Sequence, residues 1–421
     1  MWVIFLFCHK FIWLKNILKQ MKIYQKHCTH KKHEEGGGLL MNIQLAKPDI
    51  TQKEIDAVVE VMRSGTLSIG PKICEFEEKI ARYTGVKYAV AVNSGTSGLN
   101  LIVKSLGIGK GDEVITTPFS FISSTSCFLM EGATPVFVDI DPKTLNMDVD
   151  KVEQAVTPKT KAIVAVDAFG QPINMEKLRK IADRHGLYLI EDSCEAIGSE
   201  YGGHKAGSLA DAAVFAFYPN KQITTAEGGV IVTNNERLAE LCQSYRSQGR
   251  AITGFWLHHE RLGYNYRMSE LHAAIGSVQM DRIDEIIEKR AEVADMYNKE
   301  LSKIEGVTIP YIHPDVSKMS WFVYVIQIDE YIDRNSVMKY LKENGIGCRP
   351  YFTPIHIQPY IVDMFGYDEE DYPITADAGR RSIALPFFNQ LTLEEIQYVA
   401  EKLEEAVNIS EIKEYVASTK E

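Results

Sequence analysis

Residues 213–230 read Ala-Val-Phe-Ala-Phe-Tyr-Pro-Asn-Lys-Gln-Ile-Thr-Thr-Ala-Glu-Gly-Gly-Val, two apolar runs joined by a loop that holds a single lysine, Lys221, and a glycine pair. The runs have the length and the β-branched and aromatic content of buried strands. A lysine leaving such a strand is partly desolvated, which disfavours the ammonium form, and the unprotonated amine is the nucleophile of Schiff-base chemistry. Pyridoxal phosphate is the cofactor built on that reaction, and it also needs a carboxylate to keep its pyridine nitrogen protonated. Asp192, which ends the run Leu187-Tyr-Leu-Ile-Glu-Asp192, lies 29 residues before Lys221 and is placed to supply it. Taken singly, such a lysine is usually a solvated surface residue and such an aspartate a turn or cap residue.

A third feature gives the pair meaning. In Ala89-Val-Ala-Val-Asn-Ser-Gly-Thr-Ser-Gly-Leu-Asn100 a strand runs through Asn93-Ser-Gly-Thr-Ser97 into an amphipathic helix that continues to about Leu106. Glycine and small hydroxyl residues at a helix N-terminus leave backbone N–H groups free, and the helix dipole favours an anion there. A phosphate fits that turn, although serine and threonine are also ordinary N-caps.

Strand-like runs at Tyr88–Asn93, Glu113–Thr117, Pro135–Asp139, Ala162–Asp167, Leu187–Asp192, Ala213–Phe217 and Gly229–Thr233 mostly alternate with helical stretches. That pattern predicts an α/β fold with a mostly parallel seven-stranded sheet covered on both faces, the candidate residues clustering at strand ends. Ile283, Ile286, Ile287, Ala291, Ala294, Tyr297 and Leu301 then recur at helical spacing, ending near Gly306. We expect this helix to lead from a large cofactor-binding domain, residues 41–285, to a smaller C-terminal α+β domain, residues 286–421. In the latter, Trp321–Ile328 reads as a strand, and Ser336–Asn344 and Leu393–Val407 read as helices. Between them, Arg349-Pro-Tyr-Phe-Thr-Pro-Ile-His-Ile-Gln-Pro-Tyr360 reads as a rigid loop facing substrate, with Tyr351 and His356 as candidates to touch sugar or nucleotide.

With these residues in place the chain resembles the DegT/StrS-type sugar aminotransferases of the fold type I pyridoxal phosphate enzymes. The resemblance covers about Ile43 to Leu403 and rests on Asn93–Ser97, Thr117–Ile122, Ile190–Ser193, Phe217–Gly229 and Gly263–Met268, all in the same order. It implies that Lys221 carries the cofactor as a Schiff base and moves the proton, and that Asp192 pairs with the pyridine nitrogen. Thr96, with the backbone of Gly95 and Ser97, would hold the phosphate, and Phe121 would stack on the ring, though Phe119-Ser-Phe121 also reads as a packing run. Asn265 would reach the cofactor phosphate of a neighbouring subunit, so that a homodimer would share its active sites. Arg267 would meet an anionic substrate group.

The family's pattern is broken at three positions. Glu195 stands where Gln or His is common near the cofactor's phenolic oxygen; Ala216 stands where a phosphate-binding serine is common, leaving Ser208 as a substitute; Asp167 stands where His is common. A dehydratase branch replaces the lysine with histidine, and this chain keeps the amine. The resemblance therefore implies transamination of a nucleotide-linked keto sugar, an NDP-4-keto-6-deoxyhexose as in perosamine synthesis, with L-glutamate as amino donor. A dehydratase and a non-catalytic regulatory homologue are the alternatives.

Composition agrees with this reading. The 421 residues are 45% hydrophobic and 24% charged, an ordinary balance for a soluble protein. Residues 1–40 carry seven lysines and two glutamates, so the rest of the chain carries −16 of a net −11. An acidic body argues against a nucleic-acid partner. Seven cysteines without C-x-x-C spacing fit neither a disulfide framework nor a zinc site, which points to a reducing cytoplasm and no metal. Met1-Trp-Val-Ile-Phe-Leu-Phe7 is apolar but too short to span a bilayer, and no basic region precedes it. Glu34-Glu-Gly-Gly-Gly-Leu-Leu-Met41 looks like a translated ribosome-binding site, so we expect residues 1–40 to be a non-native extension ahead of a start at Met41.

Overall fold

The computed structural model describes residues 41–251 and 258–418, with side chains through residue 409. The expectations for residues 1–40 lie outside the described residues. In chain order the strands are β1 (Tyr88–Val92), β2 (Glu113–Thr116), β3 (Thr134–Phe137), β4 (Thr160–Val166), β5 (Tyr188–Asp192), β6 (Glu200–Tyr201), β7 (His204–Lys205), β8 (Ala212–Ala216), β9 (Gly229–Thr233), β10 (Val307–Thr308), β11 (Val316–Lys318), β12 (Tyr324–Ile328) and β13 (Ser382–Leu385).

Seven of them form one sheet in the order β1-β9-β8-β5-β4-β2-β3. Six run parallel, and β9 alone is antiparallel to both neighbours, β1 and β8. The central strands read as continuous apolar runs because both faces are covered. On β1, Val90 and Val92 face a core with Leu99 and Ile102 of helix Gly95–Ser105, while Ala89 and Ala91 face one with Phe76 and Ile80 of helix Pro71–Thr84. Phe76 is fully buried and meets Phe217 edge-on at 5.3 Å, just where the lysine loop begins.

Helix Gln52–Ser64 starts with a capping box, Thr51 with Glu54, and ends at Gly65 in the left-handed conformation. Glu54 is buried and accepts from Arg282 and Gln279, both at 2.8 Å. Burial alone would raise this carboxyl, but hydrogen bonds from Thr51, Gln279 and Arg282 outweigh it and hold the group at about 2. Folding thus depresses the Glu54 pKa, so its contribution to stability is complete above the unfolded value near 4.5 and is lost as pH falls from there through about 2. Glu54→Gln should lower the thermal midpoint at neutral pH and flatten its decline across that acid window. Parallel declines for both proteins would show the contribution to be absent.

The second sheet, β10-β12-β13, is antiparallel throughout. It packs with helices Arg334–Glu343 and Leu393–Ser418 around Tyr297, Tyr324, Leu341 and Leu403. Helix Ile283–Leu301 serves both cores: Ile283, Ile286 and Ile287 lie in the core of the large sheet, and Val293, Ala294, Tyr297 and Leu301 in the second. The start of the described chain belongs to the second layer, since Ile43 bonds to Gly345 and Gly347 and the Leu45 carbonyl accepts from Phe387.

The expected strand Trp321–Ile328 begins only at Tyr324. Trp321 takes a left-handed φ of 40°, and the carbonyls of Trp321 and Phe322 accept from the buried Arg290 guanidinium at 2.6 and 2.7 Å. That grip bends the segment out of the sheet and turns Phe322 toward Lys221.

Candidate active site

The C-terminal ends of β1, β2, β5 and β8 lie on one edge of the sheet, and each delivers part of a single site. Asp192 closes β5, is 6% exposed, and accepts from the Ser124 hydroxyl at 2.8 Å and the Cys194 amide at 3.3 Å. Neighbouring β8 runs out into the lysine loop, which is pinned by Phe217 N–Gly228 O at 3.0 Å and Thr225 N–Phe217 O at 2.9 Å. The Lys221 side chain is 13% exposed; its Nζ lies 3.2 Å from Glu195 Oε1 and 3.8 Å from the centre of the Phe322 ring. Glu195 Oε2 accepts from the Phe169 amide at 2.9 Å. Burial pushes the Glu195 carboxyl up and Asp192 adds to the rise, while the Lys221 charge and the Phe169 N–H oppose it.

After β1, Ser94 caps the helix through Ser97 N at 3.1 Å, and its hydroxyl meets that of Ser97 at 2.8 Å. Gly95 and Thr96 open that helix, so their N–H groups have no intrahelical acceptor. A Cβ at Gly95 would lie 2.8 Å from both Ala216 Cβ and Cys194 Sγ, and one at Gly229 would lie 2.6 Å from Ser94 O. Only glycine lets the turn sit this close to β8 and β9. Thr96 Oγ1 meets Ser123 Oγ at 2.7 Å, and the next residue, Ser124, donates to Asp192 and meets Ser120 Oγ at 2.7 Å. Beside them Phe121 is 61% exposed while Phe119 is fully buried against Phe169 and Phe352, which separates the two readings of that run.

The strip Tyr264–Arg267 runs next to the same turn, with Asn93 N donating to Tyr266 O at 2.9 Å. Asn265 is exposed, and Arg267 donates to Gln248 Oε1 at 2.8 Å. Burial, then Arg250 and Arg246, lowers the Arg267 pKa, a crowding of positive charge that an anion would relieve. Tyr351 is brought in as well: burial raises its hydroxyl, Glu195 raises it further, and Asn220 opposes the rise.

Two expected residues are not brought in. His356 is fully buried, edge-on to Tyr372 at 4.9 Å, inside the Pro- and aromatic-rich segment that looked substrate-facing; its aromatic neighbours build a core instead. Ser208 donates to Lys205 O at 2.6 Å in the loop that enters β8, at the end of the strand opposite Lys221, so it is no substitute for the serine missing at Ala216. Asp167 accepts from Ser193 Oγ at 2.7 Å and Ile173 N at 3.0 Å, fully buried beside Glu191. Burial and then Glu191 drive its carboxyl well up, and the hydrogen bonds it accepts from Ser193 and Ile173 brace the loop behind Asp192. Ser124 and Phe322 escaped the sequence reading; a hydroxyl one helical turn from an exposed aromatic was the only trace of the first.

An α/β enzyme with an amine and a carboxylate on adjacent strand ends, beside an anion-ready helix N-terminus, is the class that fold and site define. The chain belongs to the DegT/DnrJ/EryC1/StrS aminotransferase family, whose match spans residues 48–404. It is 39% identical over 373 residues to the spore coat polysaccharide biosynthesis protein SpsC of Bacillus subtilis, covering 86% of this chain and 96% of that one. It is 39% identical over 373 residues to a GDP-perosamine synthase of Caulobacter vibrioides, covering 87% and 99%. The solved PLP form of Spr1654 from Streptococcus pneumoniae superposes with a TM-score of 0.83 at 30% identity, covering 88% of this chain and all of that one.

The chain is thus an aminotransferase, and enzymatic amino transfer of this kind runs on pyridoxal 5′-phosphate. The residues present fit that group. The open amides of Gly95 and Thr96 suit its phosphate, the Gly95 cradle admits it closely, and Phe121 is an exposed ring at the mouth.

Proposed function

We propose that this enzyme moves the amino group of an amino acid, L-glutamate, onto the keto carbon of a nucleotide-linked sugar, an NDP-4-keto-6-deoxyhexose, in amino-sugar and surface-polysaccharide biosynthesis. The observation that carries transamination is the Lys221 side chain, its Nζ held against Glu195 and Phe322, since a group that can move a proton is what amino transfer requires. Bound pyridoxal phosphate supplies an electron sink for the carbon that gains or loses the amine. Lys221 would hold the cofactor's carbonyl end and carry the proton. Asp192, fixed by Ser124, would pair with the pyridine nitrogen. Gly95, Thr96 and Ser97 would hold the phosphate, Phe121 would lie against the ring, and Glu195 would orient Lys221. Tyr351 would line the substrate side, and Arg267 would answer the nucleotide's negative charge. The scattered free cysteines Cys74, Cys127, Cys194, Cys242 and Cys348 suit a cytoplasmic enzyme. Among the described residues no helix is long and apolar enough to cross a membrane.

Nitrogen-labelled L-glutamate supplied with a panel of nucleoside diphosphate 4-keto-6-deoxyhexoses should give a labelled amino sugar by mass spectrometry. Release of ammonia with a deoxy product would overturn the assignment.

A homodimer with shared sites is part of this proposal. Ile55, Val59 and Met62 follow helical spacing on helix Gln52–Ser64 and are 49%, 37% and 57% exposed, and Leu67 and Ile69 continue the apolar face at 43% and 65%. Ile69 holds a left-handed φ of 56°, a strained setting for a β-branched residue that an added contact would justify. Ile55→Glu combined with Met62→Glu should sediment as a monomer and need several-fold more cofactor for half-saturation. An unchanged dimer would exclude this face.

A further inference from the structure

We infer that Glu195 is the base that takes the proton from the Lys221 ammonium and so frees its amine to react. This deepens the aminotransferase reading and rests on it. In the transfer one Nζ–H bond breaks and one Oε1–H bond forms. The nitrogen keeps the electron pair that attacks a carbonyl carbon, and a +1/−1 pair becomes two neutral groups.

The geometry is built for this. Glu195 Oε1, at 3.2 Å, is the one carboxylate oxygen hydrogen-bonded to Lys221 Nζ among the described residues. Its other oxygen is fixed by Phe169 N at 2.9 Å, and its backbone carbonyl accepts from Gln222, the residue after the lysine. Phe169 itself sits at φ 58°, followed by Gly170 at φ 94°, where a Cβ would lie 2.9 Å from Glu195 O and 3.1 Å from Phe322 N. The acid is therefore clamped rather than free to swing away. Phe322 roofs the pair at 3.8 Å from Nζ, and Glu195 is 7% exposed. A buried ion pair with few further hydrogen bonds gains little over its neutral, proton-transferred form, because desolvation penalises both charges. Burial already raises the Glu195 carboxyl. The other titratable groups that interact with the pair are Asp192 and Cys194 on its own turn and Tyr351, which in turn feels Arg349 and Tyr218. None of these is hydrogen-bonded to Nζ.

Glu195→Gln tests the inference, since it keeps the shape and an acceptor for Phe169 N but cannot take a proton. Pyridoxal phosphate is mixed with each protein across a pH series, its attachment is followed by visible absorption, and the site is confirmed by borohydride trapping and the mass of the Lys221 peptide. Wild type should attach at a rate nearly independent of pH around neutrality. The variant should be slower there by about 10²-fold and recover by about tenfold per pH unit as solvent removes the proton. Glu195 acting only as a counter-ion predicts the opposite, because its removal would free the amine and quicken attachment at neutral pH; that result overturns the inference. So does uniform slowing without a change in pH profile. Wild type that never attaches cofactor at Lys221 overturns this inference and the aminotransferase reading together.

Discussion

Lys221→Ala is expected to abolish amino transfer, lowering kcat by about 10³-fold or more, because one side chain is both the attachment point and the proton carrier. The fold should survive. Lys221 has Glu195 as its hydrogen-bond partner and Phe322 as its aromatic neighbour, and the loop around it is pinned through the backbone of Phe217, Thr225 and Gly228. The alanine variant leaves Glu195 buried without its counter-charge, which pushes that carboxyl further toward its neutral form. Lys221→Arg separates charge from chemistry: the guanidinium keeps a cation beside Glu195 and Phe322 but stays protonated and cannot act as the amine. Both variants should unfold within a few degrees of wild type and both should fail to pass labelled nitrogen from L-glutamate to product. Turnover by the arginine variant at a rate near wild type would show that only the charge matters, and the assignment of Lys221 would fall.

Much of this site was legible because its parts are local. The strand ends at Asn93, Asp192 and Phe217 follow from apolar runs buried on both faces, and Lys221 and Asp192 stand out as polar residues where those runs stop. What was not legible depends on contacts far apart in sequence. The direction of β9 shows only in its antiparallel pairing with β8 and with β1, more than a hundred residues earlier, and leaves its own composition unchanged. Phe322 reaches Lys221 because Arg290 holds the carbonyls of Trp321 and Phe322, a bend that overrides a strand-like sequence. Ser124 reads as one of several small polar residues until the fold sets it 2.8 Å from Asp192. His356 shows the converse: in a segment whose prolines and aromatics suggest an exposed loop, Ile355 packs with Phe137 and Ile361 and His356 meets Tyr372, while Phe352 packs on Phe119 and Phe169.

Asp192→Asn should separate cofactor retention from catalysis. Asparagine fills the same volume, and its amide can still accept from Cys194 N or Ser124 Oγ, so β5 and its pairing with β8 should be undisturbed. What disappears is the negative charge. A neutral amide does not hold the pyridine nitrogen protonated, and without that positive charge the ring loses its power to draw electrons from the reacting carbon. Preorganised electrostatic groups of this kind are worth about 10²–10³ in kcat, or about 3–4 kcal/mol, and Asp192 sits where water cannot replace it. The phosphate turn at Gly95–Ser97 is untouched, so the variant should purify with nearly its full complement of cofactor while kcat falls by that factor. Thr96→Ala should behave in reverse, because it removes a phosphate contact and the hydroxyl link to Ser123 but leaves the charge at the ring. Its cofactor affinity should fall, and saturating cofactor should restore most of the rate. Were Asp192→Asn rescued by excess cofactor in the same way, the carboxylate would be a binding contact rather than the source of the ring's charge.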